Sequence, residues 1–379
     1  MKGPVTSREI AIAVPATGTE EWEALREPLE TGWLTQGPKV AEFERRFAER
    51  HQLRHAVATT SCTTALHLAL TAMGIGPGDE VIVPAFTWVA TANVVRFCGA
   101  TPVFADVDAR SYDIDPEDVR SKVTDRTRAA IPVHLFGRCA EIGAVRDVLP
   151  AGTLLLEDAA CAAGAALYGT PAGGLGDAAA FSFHPRKSIT TGEGGMLTTQ
   201  DGELAARART LRDHGASTSE EQRHRGPRPF LLPDFDETGF NYRMTDLQGA
   251  VGLVQLGKLN GFVAERDRWA RWYGEQLSGL AWLQTPEVPE GHDHAWQAYV
   301  TVVDADAPVP RDALMARLQD AGIATRPGTH AVTELGAYRE HAGSCPVAKR
   351  LQEQTMALPL HNRMTPEDYE YVVAELRRV

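Results

Sequence analysis

Lysine is scarce in this chain, with six lysines against 32 arginines in 379 residues. Lys187 stands in FSFHPRKSITTGEGGM, directly after an apolar run and before a glycine-rich turn. An amine partly withdrawn from water gives up its proton more readily and can attack a carbonyl to form an imine. Taken alone, Lys187 reads better as a solvated loop lysine, so its surroundings decide. Asp158 closes the apolar run TLLLED, 29 positions earlier. A carboxylate there can pair with a protonated ring nitrogen, so that the ring absorbs electrons released when a Cα proton leaves. It fits a helix N-cap or a surface acid about as well.

Three hydroxyls, Ser61, Thr63 and Thr64, lie in TTSCTTALHLAL at the start of an expected helix. Free N–H groups and the helix dipole favour an anion such as phosphate at that place, although a simple serine cap is the commoner meaning of the pattern. Ser182, in FSFHP, can add a hydroxyl to the same phosphate or be an ordinary strand serine. Trp88, after VIVPAFT, can stack on a cofactor ring or pack in the core. No GxGxxG or HExxH occurs. Position 186 is arginine, which spoils the P-loop pattern ending in Lys187–Ser188. His292 and His294 lie in a polar loop without nearby cysteines, so no metal site is expected.

These residues need a frame to hold them. Apolar runs at 80–84, 101–105, 129–134, 153–157, 178–183 and 195–199 read as strands. Helices are expected at 63–74, 88–98, 116–122, 139–149 and 201–212. Short apolar strands alternating with helices predict an α/β fold with a mostly parallel, covered sheet. Ligands in such sheets bind beyond the carboxyl ends of the strands, which is where Asp158, Ser182 and Lys187 fall. Residues 215–240, rich in turn formers and charge, read as a long excursion loop of functional or inter-subunit use. Two helices, 245–259 and 261–279, are expected next. A strand at 297–303 and helices at 311–321 and 365–378 then make a smaller α+β C-terminal domain. The division expected is 1–35 as a segment packing with the small domain or a dimer interface, 36–260 as the large domain and 261–379 as the small one.

Composition narrows the partners. A net charge of −12 does not favour nucleic acid or an anionic membrane, so a small-molecule substrate is expected. No apolar run reaches the roughly 18 residues that span a bilayer, and the N-terminus lacks a signal-peptide pattern. The five cysteines are scattered, odd in number and form no CxxC pair, which suggests reduced thiols in a cytoplasmic enzyme.

Taken in order and spacing, the segments TSCTTALHLAL, DEVIVPAFTWVATANVV, TPVFADVD, IPVHLFG, LLLEDAACAAGA, FSFHPRKSITTGEGGM, RDHG and GFNYRMTDLQGAVGLVQL resemble the DegT/DnrJ/EryC1/StrS aminotransferase family. The likeness runs from about residue 10 to the C-terminus. It implies pyridoxal 5'-phosphate as cofactor and fold type I, with a seven-stranded mixed sheet between helices. It also implies amino transfer, with L-glutamate as donor, to a keto-sugar, expected as a nucleotide-linked 3- or 4-keto-deoxysugar. A keto-cyclitol acceptor is the near alternative. A dehydratase on the same scaffold, or a cofactor-binding regulator, is more distant.

The resemblance assigns roles to matching positions. Lys187 corresponds to the imine-forming lysine and Asp158 to the acid at the pyridine nitrogen. Trp88 corresponds to the aromatic stacked on the ring, and Thr63, Thr64 and Ser182 to phosphate ligands. Asn241 matches an asparagine reaching the phosphate of a neighbouring subunit, which implies a homodimer with shared sites. His330 resembles a histidine near the substrate. Arg243, like Arg212 and Arg326, is a candidate for substrate phosphates, though each reads equally as a structural arginine. The chain departs from the pattern at Cys161, where Gln or His usually stands near the cofactor's phenolic oxygen, and at Cys62, where Gly or Ala is common. Relatives with His in place of the lysine perform dehydration, and Lys187 argues against that here.

Overall fold

Seven short apolar segments join into one sheet because each is bounded by turn formers and covered by helices on its faces. In the computed structural model, which describes residues 8–218, 224, 226–228 and 230–379, these are β1 (His55–Thr59), β2 (Glu80–Pro84), β3 (Thr101–Ala105), β4 (Thr127–Ala130), β5 (Leu154–Asp158), β6 (Ala178–Ser182) and β7 (Gly195–Thr199). The order across the sheet is β1-β7-β6-β5-β4-β2-β3. Only β7 runs against its neighbours, pairing antiparallel with both β1 and β6; the other pairings are parallel. The central strands β2, β5 and β6 are buried almost throughout, as expected for strands covered on both faces.

Strand β1 was not expected. Its sequence HAVAT offers little more than alanine and valine, yet it pairs along its whole length with β7. The helix Pro38–Arg50, also unexpected, covers it from the outside and buries Val40, Phe43 and Phe47.

The two helices expected at 245–259 and 261–279 are one, Asp246–Leu277. Asn260–Gly261 resembles a helix stop, but packing on both sides of it overrides the local signal. Leu256 and Leu259 belong to the core of the large sheet, while Ala270, Tyr273 and Leu277 belong to a second core. Arg50 also donates to the Asn260 side-chain oxygen at 2.5 Å. The second core contains Tyr299, Tyr369 and Leu314. It lies against an antiparallel sheet of Leu283–Gln284, Tyr299–Val303 and Thr355–Leu358, with helices Arg311–Asp320 and Pro366–Leu376.

The N-terminal segment starts on this second unit and continues along the first half of the long helix. Ile10 forms a parallel bridge with Ile323, and Arg8 pairs with Asp368 at 2.6 Å. The helix Thr19–Ala24 sends Glu21 to Lys258 on the long helix, at 2.7 Å. Parts of the expected 215–240 excursion fall outside the described residues. Its base is closed by a bridge from Ala216 to Phe235, and it carries the exposed side chains Phe230, Leu231, Leu232 and Phe235.

Candidate active site

Asp158 and Glu157 are consecutive on β5, so strand alternation sends them to opposite faces of the sheet. Glu157 is fully buried. It accepts hydrogen bonds from the backbone N–H groups of Gly173 (2.7 Å), Leu175 (2.8 Å) and Gly176 (2.6 Å), and lies 2.8 Å from His134 Nε2. Because His134 Nδ1 accepts from the Ala140 N–H at 3.0 Å, Nε2 carries the proton and donates to Glu157. Glu157 is thus a structural clamp.

Asp158 faces a cavity of about 450 Å³. One carboxylate oxygen accepts from Thr91 Oγ1 at 2.8 Å and the other from the Ala160 N–H at 3.2 Å. Thr91 has a single proton, given to Asp158, so Thr87 Oγ1, 3.1 Å away, donates to Thr91. Burial pushes the Asp158 carboxyl above its ordinary range, while the Thr91 and Ala160 donors and the charge of Lys187 pull it back. Among the described residues no cation reaches it at ion-pair distance. A buried carboxylate without a counter-ion fits a cationic group entering the cavity.

The turn after β6 brings Lys187 to the same cavity. Ser182 ends the strand, and Lys187 N–H bonds the His184 carbonyl at 2.9 Å to close the turn. Gln297 Nε2 donates to the Arg186 carbonyl at 2.8 Å, tying this turn to the C-terminal part. The Lys187 amine donates to Cys161 Sγ at 3.2 Å.

A third wall follows β1. Ser61 caps the helix Cys62–Ala72, accepting from the Thr64 N–H while Thr64 Oγ1 accepts from the Ser61 N–H at 3.0 Å. The cap and the anion site are not rivals here. The first-turn N–H groups of Cys62 and Thr63 have no acceptor within the helix, and Ser61, Thr63 and Ser182 all line the cavity. Glycine at 195 permits this arrangement, since a Cβ there would lie 2.3 Å from the Ser61 backbone.

Trp88 follows β2 at the rim and is 56% exposed. Its ring meets His330 with centroids 5.5 Å apart. The short ladder pairing His330–Ala331 with Phe86–Thr87 fixes both residues.

The cavity therefore gathers Lys187, Asp158, Trp88, Thr63, Ser182, Cys161 and His330. Thr64 stands behind the wall, its hydroxyl taken up by the cap. Asn241 and Arg243 are outside their own chain's cavity: Asn241 bridges to Asp213 through the backbone, and Arg243 pairs with Asp213 at 2.5 Å. Sequence reading missed Thr91, Gln297 and Arg186. Thr91 was within reach, three residues after Trp88 at the start of a helix; nothing local marks Gln297.

The sequence profile of the DegT/DnrJ/EryC1/StrS aminotransferase family matches residues 15–377. The chain belongs to this aminotransferase family. It is 39% identical over 374 residues to GDP-perosamine synthase of Caulobacter vibrioides, covering 98% of each chain. Among solved structures it resembles the aminotransferase TlmJ from Streptoalloteichus hindustanus, with a TM-score of 0.89, 34% identity and coverage of 97% of this chain and 98% of that one. It also resembles the sugar aminotransferase Spr1654 from Streptococcus pneumoniae in its PMP form, with a TM-score of 0.92, 28% identity and 98% of each chain covered. The DegT/DnrJ/EryC1/StrS chain described here is a fold type I, pyridoxal-phosphate-dependent aminotransferase. An amine, a buried unpaired carboxylate and a helix N-terminus around one cavity suit that cofactor's aldehyde, ring nitrogen and phosphate. No helix among the described residues is long and apolar enough to cross a membrane.

Proposed function

We propose that this aminotransferase moves an amino group from an amino acid, L-glutamate in our reading, to a keto-sugar carried on a nucleotide. The observation that carries the acceptor class is the 39% identity, along the whole chain, to a GDP-perosamine synthase. The cavity rim supports it, because the exposed Trp88 and His330 leave room for a long substrate tail to run into solvent.

Bound in this cavity, pyridoxal phosphate supplies an aldehyde to take the amino group and a cationic ring to absorb the electron pair freed at the reacting carbon. Lys187 would hold the cofactor through its amine and, with that amine free, would move the proton at the donor's Cα. Asp158 keeps the ring nitrogen protonated, and Thr91 orients Asp158. Thr63, Ser182 and the first-turn N–H groups hold the phosphate, with Thr64 shaping the turn. Trp88 would stack on the ring, Cys161 would stand by its phenolic oxygen, and His330 would face the substrate. The keto-sugar takes the amino group through the same groups acting in reverse.

Asn241 and Arg243 act on the cavity of a second copy in this reading, which makes the enzyme a homodimer. Two facts support it: both residues lie outside their own cavity, and the neighbouring excursion exposes Phe230, Leu231, Leu232 and Phe235. Such an apolar cluster is usual at an interface. We place residues 36–260 in the cofactor-binding domain and 261–379 in the small one. The 1–35 segment is shared: Arg8 and Ile10 meet the small domain, while Ala16, Glu20, Glu21, Leu34 and Thr35 pack on the first half of the long helix, and residues 1–7 are outside the described residues. Five unpaired cysteines are consistent with the cytoplasm.

The test is to convert the enzyme to its amine form with L-glutamate and add single keto-sugars and keto-cyclitols. Return of the aldehyde form's absorbance with a nucleotide-linked keto-sugar is expected; return only with a cyclitol would overturn the acceptor class.

A further inference from the structure

Cys161 and Lys187 are brought together by strand register. β5 and β6 run parallel with Asp158 opposite Ala180, and the chain turns at once beyond each strand end. The first turn is closed by the Ala160 N–H on the Asp158 carboxylate at 3.2 Å and the Ala162 N–H on the Ala159 carbonyl at 2.9 Å. The second is closed by the Arg186 N–H on His184 Nδ1 at 3.2 Å and the Lys187 N–H on the His184 carbonyl at 2.9 Å. The Lys187 amine therefore stands 3.2 Å from Cys161 Sγ. Both side chains are half-buried on the wall of one cavity, and the exposed rim at Trp88 admits a solute as small as hydrogen peroxide. The other thiols are placed differently. Cys62, Cys139 and Cys345 are buried, with Cys62 Sγ turned to the Ala180 carbonyl at 3.5 Å, and Cys98 lies against the Thr71 hydroxyl at 3.8 Å.

We propose that this pair is an oxidative modification site, at which hydrogen peroxide joins Cys161 to Lys187 through a sulfur–nitrogen bond. In the first step the sulfur attacks one peroxide oxygen, the O–O bond breaks, and the thiol proton leaves with the other oxygen as water. Cys161 is then a sulfenic acid, which condenses with a nucleophile within reach. The Lys187 nitrogen is at hand on a flexible four-carbon stem, so it closes on the sulfur without backbone movement. The S–O bond breaks, and the hydroxyl departs with an amine proton as a second water. The Cys161–Lys187 pair has lost two electrons, and one peroxide has become two waters. A thiol reductant returns the two electrons and restores both side chains. The consequence for the enzyme rests on the aminotransferase reading above. A joined amine cannot hold the cofactor, and an amine bonded to the cofactor is shielded. Because that amine is set free in each turnover, the amine form of the enzyme is the vulnerable one.

The test treats two forms of the full-length enzyme with hydrogen peroxide: the aldehyde form, and the amine form made with L-glutamate and freed of keto acid. Both are then read by denaturing intact mass and by peptide mapping without reductant. The amine form is expected to lose about 2 Da, the two hydrogens of the new bond. It should yield one crosslinked peptide pair containing Cys161 and Lys187, and dithiothreitol should reverse both changes. Cys161→Ser should give no crosslink, and Cys62→Ser should still give it. The aldehyde form should resist. A gain of about 32 Da on Cys161, the mass of a sulfinic acid, with Lys187 left free overturns the proposal. So does a Cys62–Cys161 disulfide, which has the same intact mass but a different peptide pair and disappears in Cys62→Ser. A Cys161–Lys187 crosslink formed equally in both forms upholds the pair but takes Lys187 away from the cofactor, so the two readings fail separately.

Discussion

The Lys187 amine lies 3.2 Å from the Cys161 thiol, so the residue beside the reacting nitrogen is one of the two cysteines that stand out against the expected family pattern. A thiol is a weak hydrogen-bond donor. Replacing Cys161 with Gln should place a stronger donor by the cofactor's phenolic oxygen and stabilise its anion. The pH midpoint of the bound cofactor's visible absorbance should then fall by about one unit, the equivalent of one hydrogen bond. A spectrophotometric titration showing an unchanged or higher midpoint would contradict this placement of Cys161.

Lys187→Ala should bind pyridoxal phosphate without covalent attachment. Borohydride reduction followed by intact mass measurement is expected to show a cofactor adduct on the wild type and none on the variant. Turnover should be lost as well. An adduct persisting in the variant would move the attachment to another lysine.

Asp158→Asn removes the negative charge proposed to hold the ring nitrogen's proton, and at least a hundredfold loss of kcat is expected, an order typical of losing a preorganised electrostatic contact. Thr91→Val keeps the carboxylate but removes its donor. It should cost about tenfold, the worth of roughly 1.4 kcal/mol from one hydrogen bond to a charged group. If Thr91→Val were as damaging as Asp158→Asn, Thr91 would have a role beyond orienting the acid.

Buried His51 gives the fold an acid sensitivity. Burial, and then the Arg50 charge, lower its pKa from 6.5 to about 4, so the unfolded chain binds the proton more tightly than the folded one. Stability from this group is therefore complete above about 6.5 and is lost as pH falls toward 4, by on the order of 3 kcal/mol. His294, lowered to about 3 by burial first and then by Arg138 and His292, acts in the same direction. Tm should drop across this window, and the drop should be shallower in His51→Phe, whose ring can keep the stack on Phe47. An equally steep drop in the variant would exclude His51 as a source.

Gly257 and Gly261 lie inside the Asp246–Leu277 helix with open space where a Cβ would stand. Alanine at each should raise stability by about 0.5–1 kcal/mol through the unfolded chain's lost freedom. Chemical denaturation checks this; a decrease for either would show that its face is covered in the assembled enzyme.

The sheet was legible because its strands are apolar runs set between turn formers, and six of seven were expected near their observed places. β1 escaped because His55–Thr59 has too little bulk to stand out, and its pairing with β7 is a long-range matter. The helix break expected at Asn260–Gly261 failed for a related reason: two cores, one on each side, hold the helix through a local stop signal. Lys187 and Asp158 could be singled out because Asp158 closes one apolar run and Lys187 follows another, both beyond the strand ends where ligands bind. Glu157 could not be told from Asp158 by type; only the alternation of the strand separates clamp from site. Gln297 and Arg186 come together from segments more than a hundred residues apart, so neither carries a local mark.

A single helical rod enters both cores of this enzyme, its first half under the large sheet and its second under the small one. Bending such a rod breaks its backbone hydrogen bonds, so a hinge at that junction is disfavoured. Substrate access must then be controlled at the rim, by Trp88, His330 and the turn bearing Lys187, and not by one half of the molecule swinging away from the other.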